Sequence, residues 1–282
     1  MLLLLRWLSR CPLWLLQGVG ALAGWLSWAL SPSYRARLAA NARVAGLSRA
    51  KAWPAVAHAG RMIAELPWLW LRPVSRPLGA RVRWTGAELV DAALARRQGL
   101  VFLTPHMGCF EVTAQAFAEH FGASSPITVL YRPARKPWMR ELVDASRARP
   151  GLATAPATLA GVRQMIRALR RGETVGLLPD QVPPEGMGVW APFFGRPAYT
   201  MTLAARLVQQ TGATLLLAWG ERLSWGRGYV VRVRPGPVLP ADSTPESAAA
   251  IINRAMEELI LQAPEQYLWG YHRYKQPRRE AP

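Results

Sequence analysis

The chain opens on a long apolar stretch, with no charged side chain between Cys11 and Tyr34. At about 1.5 Å per helical residue, such a run can cross a hydrocarbon layer roughly 30 Å thick. Pro12, Gly18, Gly20 and Gly24 weaken it as a soluble helix but are tolerated in a membrane one. Ala21-Leu22-Ala23 resembles a signal cleavage site, yet Trp25, Leu26, Trp28 and Leu30 continue the apolar run where a cleaved signal turns polar. An uncleaved membrane anchor over residues 1–34 is therefore expected. Arg6 and Arg10 precede the run, and Arg35, Arg37, Arg43, Arg49 and Lys51 follow it. The larger positive cluster belongs on the cytoplasmic side, which puts the main domain, 35–282, in the cytosol. A helix lying flat on that membrane is the competing arrangement.

Beyond the anchor, the pattern alternates between periods of 3.6 and 2. Residues 35–72 read as helical until Pro67 and Pro73 interrupt them. Arg81–Thr85 alternates like a strand, and Ala87–Arg97 reads as a helix ending near Gly99. Further strands are predicted at Leu100–Thr104, Ile127–Tyr131, Thr174–Leu178, Thr214–Trp219 and Tyr229–Val233. Helices are predicted at Phe110–Phe121, Trp138–Ala148, Leu159–Arg171, Thr200–Thr211 and Pro245–Leu261. Strands alternating with helices imply an α/β fold with a mostly parallel central sheet flanked by helices. The last two strands lack a helix between them and predict an antiparallel hairpin. With no internal repeat and no low-complexity linker, one globular domain follows the anchor.

Composition narrows the partners. Lys and Arg number 35 against 17 Asp and Glu, a formal net charge of +18, so an anionic partner is expected. The 13 Trp and the 51% hydrophobic content favour a membrane surface, because indole rings prefer the headgroup zone. Nucleic acid is not expected as a partner, since no zinc-ligand set, RNA-binding signature or basic repeat is present. Cys11 and Cys109 form no disulfide framework and fit a reducing compartment. No metal or other cofactor is expected, because His58, His106, His120 and His272 show no ligand spacing.

Four segments could carry chemistry. The first, Thr104-Pro105-His106-Met107-Gly108-Cys109-Phe110-Glu111, follows a strand and leads into a helix. His106 can take a proton from a hydroxyl, and Glu111 can hold the ring and stabilise its charged form. A satisfied strand-end histidine and a helix-stabilising acid are the plainer readings. Cys109 with His106 offers a thiol nucleophile instead, although a small residue packed beneath the turn explains it more simply. The second segment, Tyr131-Arg132-Pro133, sets Arg132 at the same sheet edge, where a guanidinium suits phosphate or an oxyanion; a solvated basic loop would look alike. The third, Leu178-Pro179-Asp180-Gln181, ends another strand and enters a Gly/Pro-rich loop whose Trp190, Phe193 and Phe194 suggest an apolar wall or lid. The fourth, Tyr267 to Lys275, interleaves aromatic residues with Arg273 and Lys275, a pattern suited to a phosphorylated lipid or to base stacking.

Taken in order, these segments with Pro192-Phe193-Phe194-Gly195 resemble the bacterial lipid A biosynthesis acyltransferases, the lauroyl and myristoyl transferases. The resemblance covers nearly the whole chain. It implies a glycerolipid-acyltransferase-like fold at the bacterial inner membrane, with the catalytic domain on the cytoplasmic face. It also implies transfer of a fatty acyl group from acyl carrier protein to a hydroxyl of a phosphorylated glycolipid acceptor. The family's His-x4-Asp/Glu pair maps onto His106 and Glu111, and its arginine after the second strand onto Arg132. Many members carry Asn-Trp where this chain has Cys109-Phe110. Direct transfer would need His106 as general base, with Arg132 or backbone N–H groups near Gly108 for the oxyanion. Asp180, Gln181, Arg273 and Lys275 are the further substrate-binding residues expected. A family member acting on another glycolipid, a Cys109 thioesterase and a non-catalytic basic membrane protein are the alternatives.

Overall fold

The computed structural model describes residues 2–131, 147 and 149–279. Its frame is a seven-stranded sheet built from β1 (Val82–Thr85), β2 (Leu100–Leu103), β3 (Ile127–Tyr131), β4 (Leu152–Pro156), β5 (Thr174–Leu177), β8 (Thr214–Arg222) and β9 (Tyr229–Pro235). The spatial order is β1-β9-β8-β2-β5-β3-β4, with β8 and β9 antiparallel and every other neighbouring pair parallel. The mostly parallel α/β sheet and its closing hairpin are therefore as the sequence predicts.

The central strand β2 is apolar at every position because both of its faces are covered. Leu100 and Phe102 of β2 face a cluster with Val112, Ala116 and Phe117 of α8 (Phe110–Phe121) and Val90 of α7 (Ala87–Ala95). Val101 and Leu103, one pleat over, face Met165 of α9 (Leu159–Arg170), Leu207 of α10 (Leu203–Thr211) and Met256 of α11 (Pro245–Ile260).

Four departures from the sequence reading have local causes. Residues 35–72 split into α3 (Pro32–Val44), α4 (Arg49–Ala52), α5 (Pro54–Ala64) and α6 (Leu66–Trp70). Gly46, in the left-handed region at φ 68°, ends the first piece, and Pro54 and Pro67 sit within the first two positions of the later ones. The segment read as a Gly/Pro-rich loop forming an apolar wall or lid is folded as a β-hairpin, β6 (Gly188–Phe193) with β7 (Arg196–Met201). Its two turn residues, Phe194 and Gly195, have φ of 47° and 72°, the signature of a type I′ turn. Thr200 and Met201 therefore belong to β7 rather than to the following helix. The edge strand β4 was not predicted; its sequence, Leu-Ala-Thr-Ala-Pro, has little β-branched content. The helix predicted at Trp138–Ala148 lies outside the described residues apart from Arg147.

The apolar N-terminal run forms α2 (Leu13–Leu30), preceded by α1 (Leu2–Leu8), and α2 is long and apolar enough to cross a membrane. It packs antiparallel along α5 at very short range. A Cβ on Gly60 would lie 1.9 Å from the Gly20 carbonyl oxygen, and one on Gly24 would lie 2.3 Å from that of Val56. Only glycine permits this approach. Gln17 donates to Glu65 Oε1 at 3.1 Å and accepts from the Gly226 N–H at 3.0 Å, so the helix is tied to the α/β body by polar contacts as well.

Candidate active site

Register explains why the key residues meet. β2 and β5 are parallel neighbours with Leu103 opposite Leu177. Each chain leaves the sheet at its carboxyl edge, and three residues later stand His106 and Asp180. Their backbones are matched in height, so the side chains converge although 74 positions apart. Open α/β sheets place their sites at this edge. His106 Nδ1 lies 2.7 Å from Asp180 Oδ1, and the His106 backbone N–H donates to Oδ2 at 3.0 Å.

Asp180 is buried, whereas the His106 side chain keeps 18% of its surface exposed. Burial of the carboxyl opposes its ionisation. The facing imidazole, the two His106 hydrogen bonds and the nearby Arg273 charge more than offset this and hold its pKa below the usual carboxylate range. An ionised carboxylate only accepts, so Nδ1 carries a proton, and in the neutral ring the lone pair is on Nε2. The ring also lies against Phe110, with centroids 4.9 Å apart.

Glu111 is placed differently from the sequence expectation. It stands in the first turn of α8, where its carboxylate accepts from Arg147 Nη2 at 3.0 Å and from Trp70 Nε1 at 3.3 Å. The partner held by the His106 ring is Asp180, which was expected only as a substrate-binding residue. Five positions of sequence put Glu111 on the helix after the turn, while the register of β2 and β5 delivers Asp180 directly under the ring.

The N–H groups around Gly108 are also committed. Gly108 N–H donates to the Gln266 carbonyl at 2.9 Å, Cys109 N–H to Gly220 at 2.8 Å and Met107 N–H to Pro105 at 2.7 Å. An oxyanion pocket from these groups is therefore not available. Gly108 serves close approach instead: its φ is 60°, and a Cβ would lie 2.1 Å from the Gly220 carbonyl oxygen. Arg273 is likewise not a surface ligand. It is buried, donates to the Tyr199 carbonyl and to Thr200 Oγ1 at 2.6 and 2.7 Å, and lies over the Phe193 ring, so it fastens the hairpin behind Asp180. Lys275 sits over the Tyr271 ring at 5.1 Å, Gln181 is half-buried beside Asp180, and Arg132 lies outside the described residues.

Cys109 is buried beneath the turn, and burial, with the Glu65 carboxylate beside it, pushes its thiol well above the usual range. A thiolate nucleophile is thus disfavoured, in line with a packing role. Among the described residues no three His, Cys, Asp or Glu side chains group as metal ligands.

One buried element has no counterpart in the sequence reading. Arg222, at the end of β8, pairs with Glu65 of α5 and donates to the Gly108 carbonyl at 2.7 Å. Its Nη1 is 3.1 Å from Nδ1 of His58, and Gln266 brackets its backbone. The backbone of the His106 turn is thereby tied to α5 and, through Gln17, to α2. A lone Arg closing the apolar run Leu215–Trp219 was the available signal.

A partly exposed ring fixed through one nitrogen on a buried carboxylate, at the carboxyl edge of a mostly parallel sheet, is an arrangement able to do general-base chemistry in an α/β enzyme. The sequence profile of the bacterial lipid A biosynthesis acyltransferases matches residues 52–276, and the chain belongs to that family. It is 29% identical over 220 residues to the lipid A biosynthesis lauroyltransferase of Escherichia coli, covering 77% of this chain and 68% of that protein. It is 28% identical over 221 residues to the palmitoleoyltransferase of the same organism, with the same coverage. A lipid A biosynthesis acyltransferase of Haemophilus influenzae is 26% identical over 192 residues, or 68% of this chain and 58% of the relative.

Proposed function

We propose that this chain transfers a fatty acyl group from acyl carrier protein to a hydroxyl of a lipid A precursor or a related phosphorylated glycolipid, at the cytoplasmic face of a bacterial inner membrane. His106 Nε2 takes the proton of the acceptor hydroxyl as its oxygen attacks the thioester carbonyl carbon. The tetrahedral oxyanion collapses, the C–S bond breaks, and the imidazolium returns the proton to the departing thiolate. Asp180 fixes the tautomer and stabilises the imidazolium. Glu111 is a positioning residue that holds Arg147 and Trp70 beside the site. By the family resemblance Arg132 is assigned to the oxyanion or an acceptor phosphate, and Gln181 and Lys275 to the acceptor. Residues 1–34 attach the chain to the membrane.

The His106–Asp180 pair carries this reading. The test is transfer of labelled acyl groups from carrier protein to a lipid A precursor by the membrane-embedded chain. His106→Ala is expected to lose about 10²–10⁴-fold in kcat. Near-normal turnover by that variant sinks the mechanism. Acyl transfer to a different glycolipid in extracts would keep the mechanism and change the acceptor.

A further inference from the structure

The two ends of α2 and the face between them bear on how the chain meets its membrane. The buried residues Leu13, Leu16, Gln17, Gly20 and Gly24 form one stripe, sealed against α5 and the loop at Gly226. On the opposite side Trp14, Leu15, Val19, Leu22, Leu26 and Leu30 are exposed. At 100° per residue they fill a single arc, an apolar band too continuous for water. The body touches both ends of the helix. At the first, a Cβ on Gly226 would lie 2.3 Å from the Trp14 nitrogen; at the second, the rings of Trp28 and Trp53 are 6.0 Å apart.

Basic and aromatic residues gather at both ends. Near the start of α2, Arg6, Arg10, Arg76 and Trp68 line a cleft of about 340 Å³. Trp7 and Trp225 project nearby into solvent, the latter 85% exposed and held in a left-handed backbone at φ 61°. Near its end, Arg35, Arg43 and Arg49 line a cleft of about 760 Å³ with Trp28 and Trp53. Arg35 lies over the Trp28 ring at 5.6 Å and Arg49 over Trp53 at 4.9 Å.

A spanning helix would carry one such belt to each side of the bilayer. Here it would also drag Arg61, His58 and the Glu65–Arg222 pair, all packed alongside its length, to hydrocarbon depth, where charge is costly. We propose that α2 lies in the plane of one leaflet, its outer stripe in the acyl region and its two Arg–Trp clefts holding phosphates of anionic phospholipids in that same leaflet. Indole rings at headgroup level and arginines on lipid phosphate suit these clefts better than an acidic carrier protein does, since the band joining them is apolar. The inference deepens the membrane attachment proposed above and is independent of the transfer chemistry.

Topology is read on the full chain in native membranes, in a Cys11→Ser background, with Ser9→Cys or Ser33→Cys at the two ends of α2. A membrane-impermeant maleimide is applied to right-side-out and to everted vesicles. Both positions are expected to label in everted vesicles only. Labelling from opposite sides, or recovery of the chain in the soluble fraction, overturns the proposal, while acyl transfer measured on the same membranes reports separately on the catalytic reading. For the clefts, the detergent-solubilised chain is titrated with phosphatidylglycerol or phosphatidylcholine and bound lipid is counted by native mass spectrometry. Arg10→Gln/Arg76→Gln and Arg43→Gln/Arg49→Gln should each lower the preference for phosphatidylglycerol by about fivefold per arginine. Arg163→Gln/Arg167→Gln on α9 should not. An unchanged preference, an equal loss in the α9 variant, displacement of the lipid by millimolar inorganic phosphate, or weakened carrier-protein binding in place of lipid binding each overturns the lipid assignment.

Discussion

Replacing Asp180 by asparagine tests the site with almost no change of shape. Oδ2 accepts the His106 backbone N–H at 3.0 Å and Oδ1 faces the ring at 2.7 Å. The backbone can only donate, so the single oxygen of an asparagine must turn toward it. The amide NH₂ then faces Nδ1 and forces the proton onto Nε2, which removes the lone pair that takes the hydroxyl proton in the proposed mechanism. The opposite rotamer restores the tautomer but sets two donors against each other in a buried site, a cost of about 1–3 kcal/mol. That alone suppresses the active form roughly 5- to 150-fold. Loss of the carboxylate charge under the imidazolium adds to it, giving on the order of 10³–10⁴-fold in kcat, the scale known for an asparagine replacing a triad aspartate. The assay is steady-state transfer from acyl carrier protein, with KM expected to change little and circular dichroism confirming the fold. A folded Asp180→Asn enzyme within tenfold of the parent kcat would refute the orienting role.

Three further expectations follow from the surroundings. Glu111→Gln weakens the Arg147 contact but leaves the ring on Asp180, so kcat should fall less than about tenfold, against the 10²-fold or more expected of a direct partner of the general base; the same transfer assay decides. Gly108→Ala must relieve a Cβ placed 2.1 Å from the Gly220 carbonyl in a left-handed backbone, and should cost about 2 kcal/mol or more, read as a lowered Tm and loss of turnover. The pH dependence of stability turns on His58, whose pKa is lowered from 6.5 to about 3 by burial first and then by Arg222 and Arg61. Below pH 6.5 the unfolded chain takes a proton that the folded chain refuses, so stability should drop by about 1.4 kcal/mol per pH unit toward pH 3. Asp180, whose folded pKa is depressed, adds its own loss as pH falls through the carboxylate range. A flat denaturation profile between about pH 6.5 and 5 would contradict the His58 assignment.

Much of the sheet is legible in the sequence because its strands are buried on both faces. Runs such as Leu100–Leu103 and Leu215–Trp219 are apolar throughout, and the helices between them keep one apolar stripe, so each element states its own type. The hairpin β6–β7 was hidden by composition: Pro192 and Pro197 sit opposite each other in it, and proline usually argues against a strand. What stabilises it lies elsewhere in the chain, in Asn253 donating to the Pro192 carbonyl at 2.8 Å and in Arg273 behind it. No local pattern announces such support.

The site divides along the same line. His106 was readable because a strand, a proline and a glycine bracket it within a few residues. Its partner was not, since the choice between Glu111 and Asp180 depends on which strand lies beside β2, and that is a property of the sheet order. Proximity in sequence favoured Glu111; register favours Asp180, three residues beyond Leu177 as His106 is three beyond Leu103. The Arg222–Glu65 pair follows from this dependence on tertiary order. A buried ion pair contributes little net stability, but breaking one by removing a partner typically costs about 3–5 kcal/mol. Its position between α5 and the Gly108 carbonyl therefore ties the backbone of the His106 turn to the docking of α5 and, through Gln17, of α2.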